Sequence, residues 1–180
     1  MGKRIPGLTK ELIQFIEQQK MFFVGTARNE GTVNISPKAM DSLRVLDENT
    51  IVWMNLTGSG NETSTHLLEN DRMTLMFMAF DGKPLILRLY GHAKAYHPRD
   101  EKYQDYISMF PADPGARQII IMRVDLVQNS CGYAVPIMEF KEDRDILKNW
   151  SEKQGRDRIE AYWKEKNSIS LDGYPTGIIE

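Results

Sequence analysis

The chain has 180 residues, 41% of them apolar and 27% charged, which is typical of one globular domain and unlike a disordered or fibrous chain. Its 23 basic and 25 acidic side chains give a net charge of -2, so we expect no nucleic-acid partner. A single cysteine, Cys131, excludes an internal disulfide framework, and no apolar run reaches the ~20 residues of a membrane span; we therefore expect a cytoplasmic protein without a membrane partner.

The first part of the chain predicts one helix and three strands. TKELIQFIEQQ places Leu12, Phe15 and Ile16 on one helical face, with Thr9 in position to cap the helix. MFFVGTAR and TVNISPK are rich in β-forming residues, and the loop NEG between them is short enough for a hairpin. TIVWMNLT then predicts a third strand.

Three more strands are predicted further along the chain. RMTLMFMAF and LILRLYGHAKAY flank a break at DGKP and predict a second hairpin, and RQIIIMRVDLVQ predicts the sixth strand. Residues 99–109 suit a short helix between them. Because alternating β-α units are absent, the pattern predicts a mainly β (α+β) fold in which a six-stranded antiparallel sheet curls into a barrel.

The character of the chain changes near residue 140. KEDRDILKNWSEKQGRDRIEAYWKEKN carries charges throughout and has apolar residues at helical spacings, with Gly155 separating two helical pieces. We therefore expect a barrel domain over residues 1–140 and a charged helical extension over residues 141–180 that packs on the same domain.

A glycine-rich stretch, GSGNET at residues 58–63, follows the third strand. It lacks the Gly-Lys-Ser/Thr of a Walker loop and the third glycine of a dinucleotide fingerprint. Asn61 is placed to cap the next helix, and Glu62, Thr63 and Ser64 form its first turn, where N–H groups and hydroxyls suit a phosphate. A capped helix start and a phosphate cradle both remain open.

Two strands carry polar side chains that either face solvent or line a ligand groove. In VNISPKAMD, strand alternation puts Asn34, Ser36 and Lys38 on one face, while Pro37 limits backbone hydrogen bonding. Arg88 is the only charge in LILRLYG, so it needs an anionic partner or an exposed edge.

The histidines and the cysteine give a weaker signal. His66, His92, His97 and Cys131 show no zinc spacing, so we predict no metal site. A nucleophilic Cys-His pair would depend on where the fold places these side chains, since such partners meet in space.

The order of these segments resembles the pyridoxamine 5′-phosphate oxidase-like family of FMN-binding split barrels. The resemblance runs from FVGTA and VNISPK through DSLRVLDENTIVWMNLTGSGNETSTHLLENDRMTLMFMAF to RLYGHAKAY, includes SCGYAVP, and covers about residues 9–140. It implies a six-stranded split β-barrel that forms a homodimer and binds FMN in clefts between the subunits.

The resemblance also implies which residues contact the cofactor. The strand ending at Lys38 runs along the flavin, and the turn at Asn61 lies where relatives hold the phosphate with a Ser-Arg-Lys run. This chain has Glu62 and Thr63 in that run, so a base from elsewhere, Lys38 or Arg88, is expected to supply the charge. The expected cofactor-binding residues are Asn34, Ile35, Ser36, Pro37, Lys38, Trp53, Asn55, Asn61, Thr63, Ser64 and Arg88.

The function implied is that of an FMN-dependent oxidoreductase of unknown substrate, with NADH or NADPH as a candidate reductant. No catalytic residue is predicted, because the flavin ring itself transfers the hydride. The Arg- and His-containing segment that pyridoxamine phosphate oxidases use on their substrate has no counterpart in NSISLDGYPTG, which argues against vitamin B6. The alternative is a non-catalytic dimeric split barrel that holds flavin, haem or another flat ligand.

Overall fold

One antiparallel sheet of eight strands organises residues 2–179, the part of the chain that the computed structural model describes. The strands are β1 (Arg4–Ile5), β2 (Phe22–Ala27), β3 (Val33–Lys38), β4 (Leu43–Val45), β5 (Thr50–Leu56), β6 (Arg72–Met78), β7 (Ile86–Tyr96) and β8 (Ala116–Ser130). Their order in the sheet is β3-β2-β6-β7-β8-β5-β4, and β1 pairs with β8. The helices are α1 (Lys10–Gln18), α2 (Glu62–Glu69), α3 (Glu101–Ile107) and α4 (Ile146–Tyr162).

The predicted fold class is confirmed, while the predicted number of six strands was two too low. The six predicted segments form β2, β3, β5, β6, β7 and β8. The two additional strands, β1 and β4, have two and three residues, which is too short to show an alternating pattern.

The core lies inside the curled sheet. Trp53, Phe77 and Leu89 are fully or almost fully buried there, and α1 packs Ile16 against the same cluster. Thr9 caps α1 as predicted, since its Oγ1 accepts from the N–H of Leu12 at 3.4 Å. Alternate residues of β2 and β6 face this core, which is the pattern expected of strands with one buried face.

β5 is buried on both faces because α3 covers its outer side. Val52 and Met54 on that side pack with Tyr103 of α3 and with Phe110 just beyond it. The long strands β7 and β8 shift register between Tyr90 and Gly91. A Cβ on Gly91 would overlap with the Arg123 carbonyl oxygen, so this close approach requires glycine.

The C-terminal part of the chain packs against the β5–α2 connection. α4 is kinked at Gly155, whose φ of 70° breaks the helix where the sequence predicts a separation, and a π-helical turn (Trp163–Asn167) follows. Nε1 of Trp163 donates to Oγ1 of Thr57 at 2.8 Å. The division of the chain at residue 140 stays a prediction. Among the helices of residues 2–179, none has the length and apolar character to cross a membrane.

We call residues 168–179 the C-terminal segment. Its Asp172 accepts from both the N–H and the hydroxyl of Thr32, at 2.8 Å each, and so ties it to the β2–β3 hairpin. Ser64 of α2 donates to the Thr176 carbonyl at 2.7 Å. The C-terminal segment is therefore held on one side by the hairpin and on the other by α2.

Candidate functional site

A cavity of about 480 Å³ lies where β3, β5, the glycine-rich loop and the start of α2 meet. This volume is within the range of cofactor-binding clefts, roughly 300–1,000 Å³. It is lined by the polar side chains Asn34, Ser36, Lys38, Asn55, Glu62, Thr63 and Arg117, and by the loop backbone at Gly58 and Gly60. Strand alternation explains the β3 contribution, since Asn34, Ser36 and Lys38 share one face of that strand.

Six of the expected cofactor residues meet at this cavity. They are Asn34, Ser36, Pro37, Lys38, Asn55 and Thr63. Asn34 links β3 to α2, because its Nδ2 donates to Oγ1 of Thr63 at 3.3 Å and its Oδ1 accepts from Ser36 at 3.0 Å.

The other five expected residues lie elsewhere. Trp53 is fully buried in the barrel core, and Ser64 is engaged by the C-terminal segment. Ile35 points to the opposite side of β3, where it is 69% exposed and lines a second cavity of about 590 Å³ together with Arg88. Asn61 is buried, and its side chain does not line the cavity. Arg88 is therefore not brought to the six residues that line the 480 Å³ cavity.

Lys38 is the first of two cations in the cavity. Its Nζ donates to Oδ1 of Asn55 at 3.2 Å and lies 5.4 Å from the centroid of the Trp53 ring. Burial lowers the pKa of Lys38 to about 8, and the nearby positive charge of Arg117 acts in the same direction.

Arg117 is the second cation, and sequence reasoning missed it. It is 3% exposed, and its Nη1 donates to Oδ1 of Asn167 at 2.8 Å, while its buried Nε has no hydrogen-bond partner. No carboxylate of residues 2–179 forms an ion pair with it. Burial lowers its pKa to about 10, against the smaller opposing effects of Tyr162 and Glu62. The only signal in the sequence was one basic residue at the start of an apolar strand.

Asn167 also fixes the glycine-rich loop. Its Oδ1 accepts from Arg117, and its Nδ2 donates to the Gly58 carbonyl at 3.0 Å. One residue of the C-terminal π-helical turn thus holds both the buried guanidinium and the loop that lines the same cavity.

The start of α2 differs from the prediction in one respect. Asn61 occupies the N-cap position, but its side chain forms no capping hydrogen bond and both of its polar atoms are buried without a partner, so the predicted side-chain cap was wrong. In the first turn, the N–H of Ser64 donates to the Asn61 carbonyl at 3.1 Å, which leaves the N–H groups of Glu62 and Thr63 as those a ligand could use. Glu62 is instead turned to the C-terminal segment, where its carboxylate accepts from the N–H of Leu171 at 3.1 and 3.2 Å.

The three histidines lie in separate environments. His66 contacts Thr26, at 3.0 Å, and His92 contacts Asp71, at 2.7 Å, whereas His97 is buried beside Gln118 at 3.1 Å. Cys131 is exposed. Across residues 2–179 no three His, Cys, Asp or Glu side chains are placed to hold a metal ion.

The curled antiparallel sheet, with a polar cavity beside it, defines a split-barrel protein. The family profile described as pyridoxamine 5′-phosphate oxidase matches residues 8–131, and the chain therefore belongs to the pyridoxamine 5′-phosphate oxidase family. It is 34% identical over 186 residues to the pyridoxamine 5′-phosphate oxidase family protein ustO of Aspergillus flavus, covering 93% of this chain and 75% of that protein.

Solved structures support the fold. Group A Streptococcus HupZ superposes with a TM-score of 0.55 at 19% identity, over 73% of this chain and 99% of HupZ. A histidine-to-alanine variant of HupZ gives a TM-score of 0.54 at 21% identity, over 68% of this chain and 98% of that chain. Likeness at this level of identity shows the shared fold alone.

Proposed function

We propose that the 480 Å³ cavity binds FMN and that the protein is a flavin-dependent oxidoreductase whose substrate is not a B6 vitamer. Membership of the family supports a flavin as the ligand. The segment Asn167–Gly173 supports the exclusion of vitamin B6, because it contains neither Arg nor His and Leu171 within it is bound by Glu62.

The observation that carries the proposal is the pair of cations in this cavity, the buried Arg117 and the partly buried Lys38. Lys38 and Arg117 line one cavity and repel each other, and neither forms an ion pair with a carboxylate of residues 2–179. The Glu62 carboxylate, which lines the same cavity, offsets only part of this positive charge. A buried charge without a counter-ion is unfavourable, so an anion with two negative charges would offset the repulsion and the lost hydration. A phosphate monoester carries about that charge near neutral pH.

The residues present fit the phosphate and the polar parts of FMN. Arg117 and Lys38 would hold the phosphate together with the Thr63 hydroxyl and the N–H groups of Glu62 and Thr63 at the start of α2. Asn34 and Ser36 would orient the remainder of the cofactor from β3. When bound, the flavin ring would accept or donate the hydride.

The proposal includes a homodimer. β3 is the end strand of the sheet, and its Val33 and Ile35 are 71% and 69% exposed beside the second cavity. Exposed apolar side chains on an end strand favour an interface with another subunit. A second copy would cover this surface and would bring Ile35 and Arg88 close to the flavin site of its partner.

Reconstitution with FMN tests the proposal. The purified chain is incubated with FMN, freed of excess cofactor, and examined for bound flavin absorbance and for its mass in solution. We expect a dimer with one FMN bound per subunit. In the absence of oxygen, NADH or NADPH should reduce the bound flavin and so remove its visible absorbance. Failure to retain FMN would refute cofactor binding, and bound FMN that neither nicotinamide reduces would favour a non-catalytic binding protein.

A further inference from the structure

Four side chains form a continuous hydrogen-bonded chain that leads away from the cavity, and we call them the polar chain. Lys38 donates to Oδ1 of Asn55 at 3.2 Å, and Nδ2 of Asn55 donates to Oε1 of Gln118 at 2.7 Å. Nε2 of Gln118 then lies 3.1 Å from Nε2 of His97. Asn55, Gln118 and His97 are 1%, 0% and 5% exposed, so water does not replace these contacts.

The polar chain has a hydrogen-bond donor at each end. The Lys38 ammonium stands at the cavity end, and at the other end Nη2 of Arg99 lies 3.5 Å from Nδ1 of His97. Along the chain, each amide offers one donor and one acceptor, and a neutral imidazole offers one N–H and one acceptor nitrogen. The polar chain can therefore accept a hydrogen bond from Lys38 or from Arg99, but not from both at once.

The charged state of Lys38 sets one polarity. An ammonium only donates, so Asn55 must present its oxygen, and Gln118 must then donate to Nε2 of His97. The His97 proton lies on Nδ1 in this state, 3.7 Å from a carboxylate oxygen of Asp100 and facing Arg99.

The neutral state of Lys38 permits the opposite polarity. An amine can accept from Nδ2 of Asn55, after which Gln118 donates to Asn55 and accepts from an Nε2–H of His97. Nδ1 of His97 is then free to accept from Arg99. Both arrangements keep every amide of the polar chain hydrogen bonded. They differ in whether the polar chain accepts a hydrogen bond from Lys38 or from Arg99.

We propose that the polar chain is a two-state element that couples the protonation of Lys38 in the cavity to the tautomer of His97, with Gln118 and His97 acting as positioning residues for Lys38. The proposal concerns the protein without ligand and is independent of flavin binding. Because coupling is reciprocal, an anion that favours the Lys38 ammonium also favours the Nδ1–H tautomer.

The far end of the polar chain is attached to the C-terminal segment. Arg99 donates to the carbonyl oxygens of Gly177 and Ile178, at 2.6 and 3.1 Å, while it faces His97. A change of the His97 tautomer thus alters the surroundings of Arg99, the side chain that holds residues 177 and 178 of the C-terminal segment. The polar chain connects the cavity with the docking of the C-terminal segment.

Charges around both ends allow the two states to be separated by pH. Arg117 and Glu62 share the cavity with Lys38, and the pKa of Lys38, lowered to about 8 by burial, puts its titration in an accessible range. The pKa of His97 is lowered to about 4, mainly by burial and then by the positive charges of Arg99 and Arg117. The Asp100 carboxylate opposes this shift. His97 is therefore neutral throughout the titration of Lys38.

Nitrogen NMR of the histidine rings in the full ligand-free chain tests the coupling. Two-bond proton–nitrogen correlations identify the tautomer, and the spectrum of His97→Gln identifies the signals of His97. We expect the Nδ1–H tautomer at about pH 6 and a change of at least about tenfold in the tautomer ratio, towards Nε2–H, with a midpoint near pH 8. A tautomer that does not change with pH, or Nε2–H already at about pH 6, would overturn the proposal.

Lys38→Met removes both the donor and its titration. We expect His97 to be Nε2–H at every pH in this variant, although the substitution lies three side chains away. The matched control is Lys94→Met, an exposed lysine of β7 outside the polar chain, which should keep the pH-dependent change. If Lys38→Met leaves the His97 signals as in the unsubstituted protein, the coupling does not exist.

Inorganic phosphate separates this proposal from the proposed function. If the cavity binds anions, adding phosphate stabilises the Lys38 ammonium and moves the midpoint of the His97 tautomer change to higher pH. A tautomer change that phosphate leaves in place supports the polar chain and counts against the anion site. Phosphate binding without any effect on the His97 tautomer supports the anion site and refutes the polar chain.

Discussion

Replacing Arg117 with methionine separates phosphate recognition from the rest of flavin binding. Methionine fills a similar volume without a charge. A charge-assisted hydrogen bond is worth about 1.5–3 kcal/mol, and 1.4 kcal/mol corresponds to a factor of ten. We therefore expect the dissociation constant of FMN to rise about 10- to 150-fold, whereas riboflavin, which has the same ring and no phosphate, should bind within about twofold of the unsubstituted protein.

The same variant makes a second prediction about stability without ligand. Removing Arg117 leaves Oδ1 of Asn167 without its donor, which is unfavourable, but it also removes a buried charge whose Nε is unpartnered. These effects oppose each other, so the unfolding free energy should change by less than about 1 kcal/mol. The pKa of Lys38 should rise, because Arg117 no longer repels its charge.

Fluorescence quenching of each flavin gives the dissociation constants, and urea unfolding gives the stability. Arg123→Met is the matched control, since Arg123 lies on the same strand, is exposed and pairs with Asp125 at 3.1 Å. Equal losses of FMN and riboflavin affinity would mean that Arg117 shapes the cavity instead of binding phosphate. An unchanged FMN affinity would refute the assignment of the phosphate to this end of the cavity.

Three further predictions concern Glu62, His97 and Gly91. Glu62→Gln removes a negative charge from the cavity and weakens the bond to Leu171, so FMN should bind several-fold more tightly while hydrogen exchange at residues 168–179 becomes faster; unchanged exchange would contradict the anchoring role. Because the folded pKa of His97, about 4, lies below its ordinary value of 6.5, the unfolded chain binds the extra proton between these values. Stability should accordingly fall as pH decreases from about 6.5 to about 4, and His97→Gln should flatten that slope in urea unfolding, whereas an unaltered slope would assign it to other groups. Gly91→Ala places a methyl group against the Arg123 carbonyl and should destabilise the fold by about 1–3 kcal/mol or prevent folding, so an unchanged melting temperature would refute the close approach at the β7–β8 bulge.

Local patterns were sufficient to predict part of the site. Strand alternation alone put Asn34, Ser36 and Lys38 on one face, and they do line one cavity. The same alternation places Ile35 on the opposite side, but the resemblance assigned the strand as a block. Strand alternation thus predicted which β3 residues share a face. The resemblance did not predict which face of β3 lines the cavity.

Contacts between distant segments were not predictable. Arg117 reaches the cavity because β8 pairs with β5, and its partner Asn167 lies 50 residues further on. Glu62 finds Leu171 at a separation of 109 residues. Neither segment has a pattern that identifies its partner, since a lone Arg before an apolar strand and a Glu in a first helical turn are both explained locally.

Glu62 and Thr63 stand at the start of α2 where relatives have an Arg-Lys pair, and the structure suggests how Arg117 could compensate for the lost basic residues. A carboxylate beside a phosphate opposes binding, and the Leu171 N–H, which contacts both oxygens of Glu62, holds this carboxylate towards the C-terminal segment. In the proposed site the positive charge comes from Lys38 and from Arg117, whose guanidinium Asn167 orients. Because Asn167 and Leu171 both belong to the C-terminal part of the chain, undocking that part would release Glu62 and disorient Arg117 at once. FMN affinity should therefore depend on residues 163–173, which do not line the cavity, and Asn167→Ala should weaken FMN more than riboflavin, as Arg117→Met does.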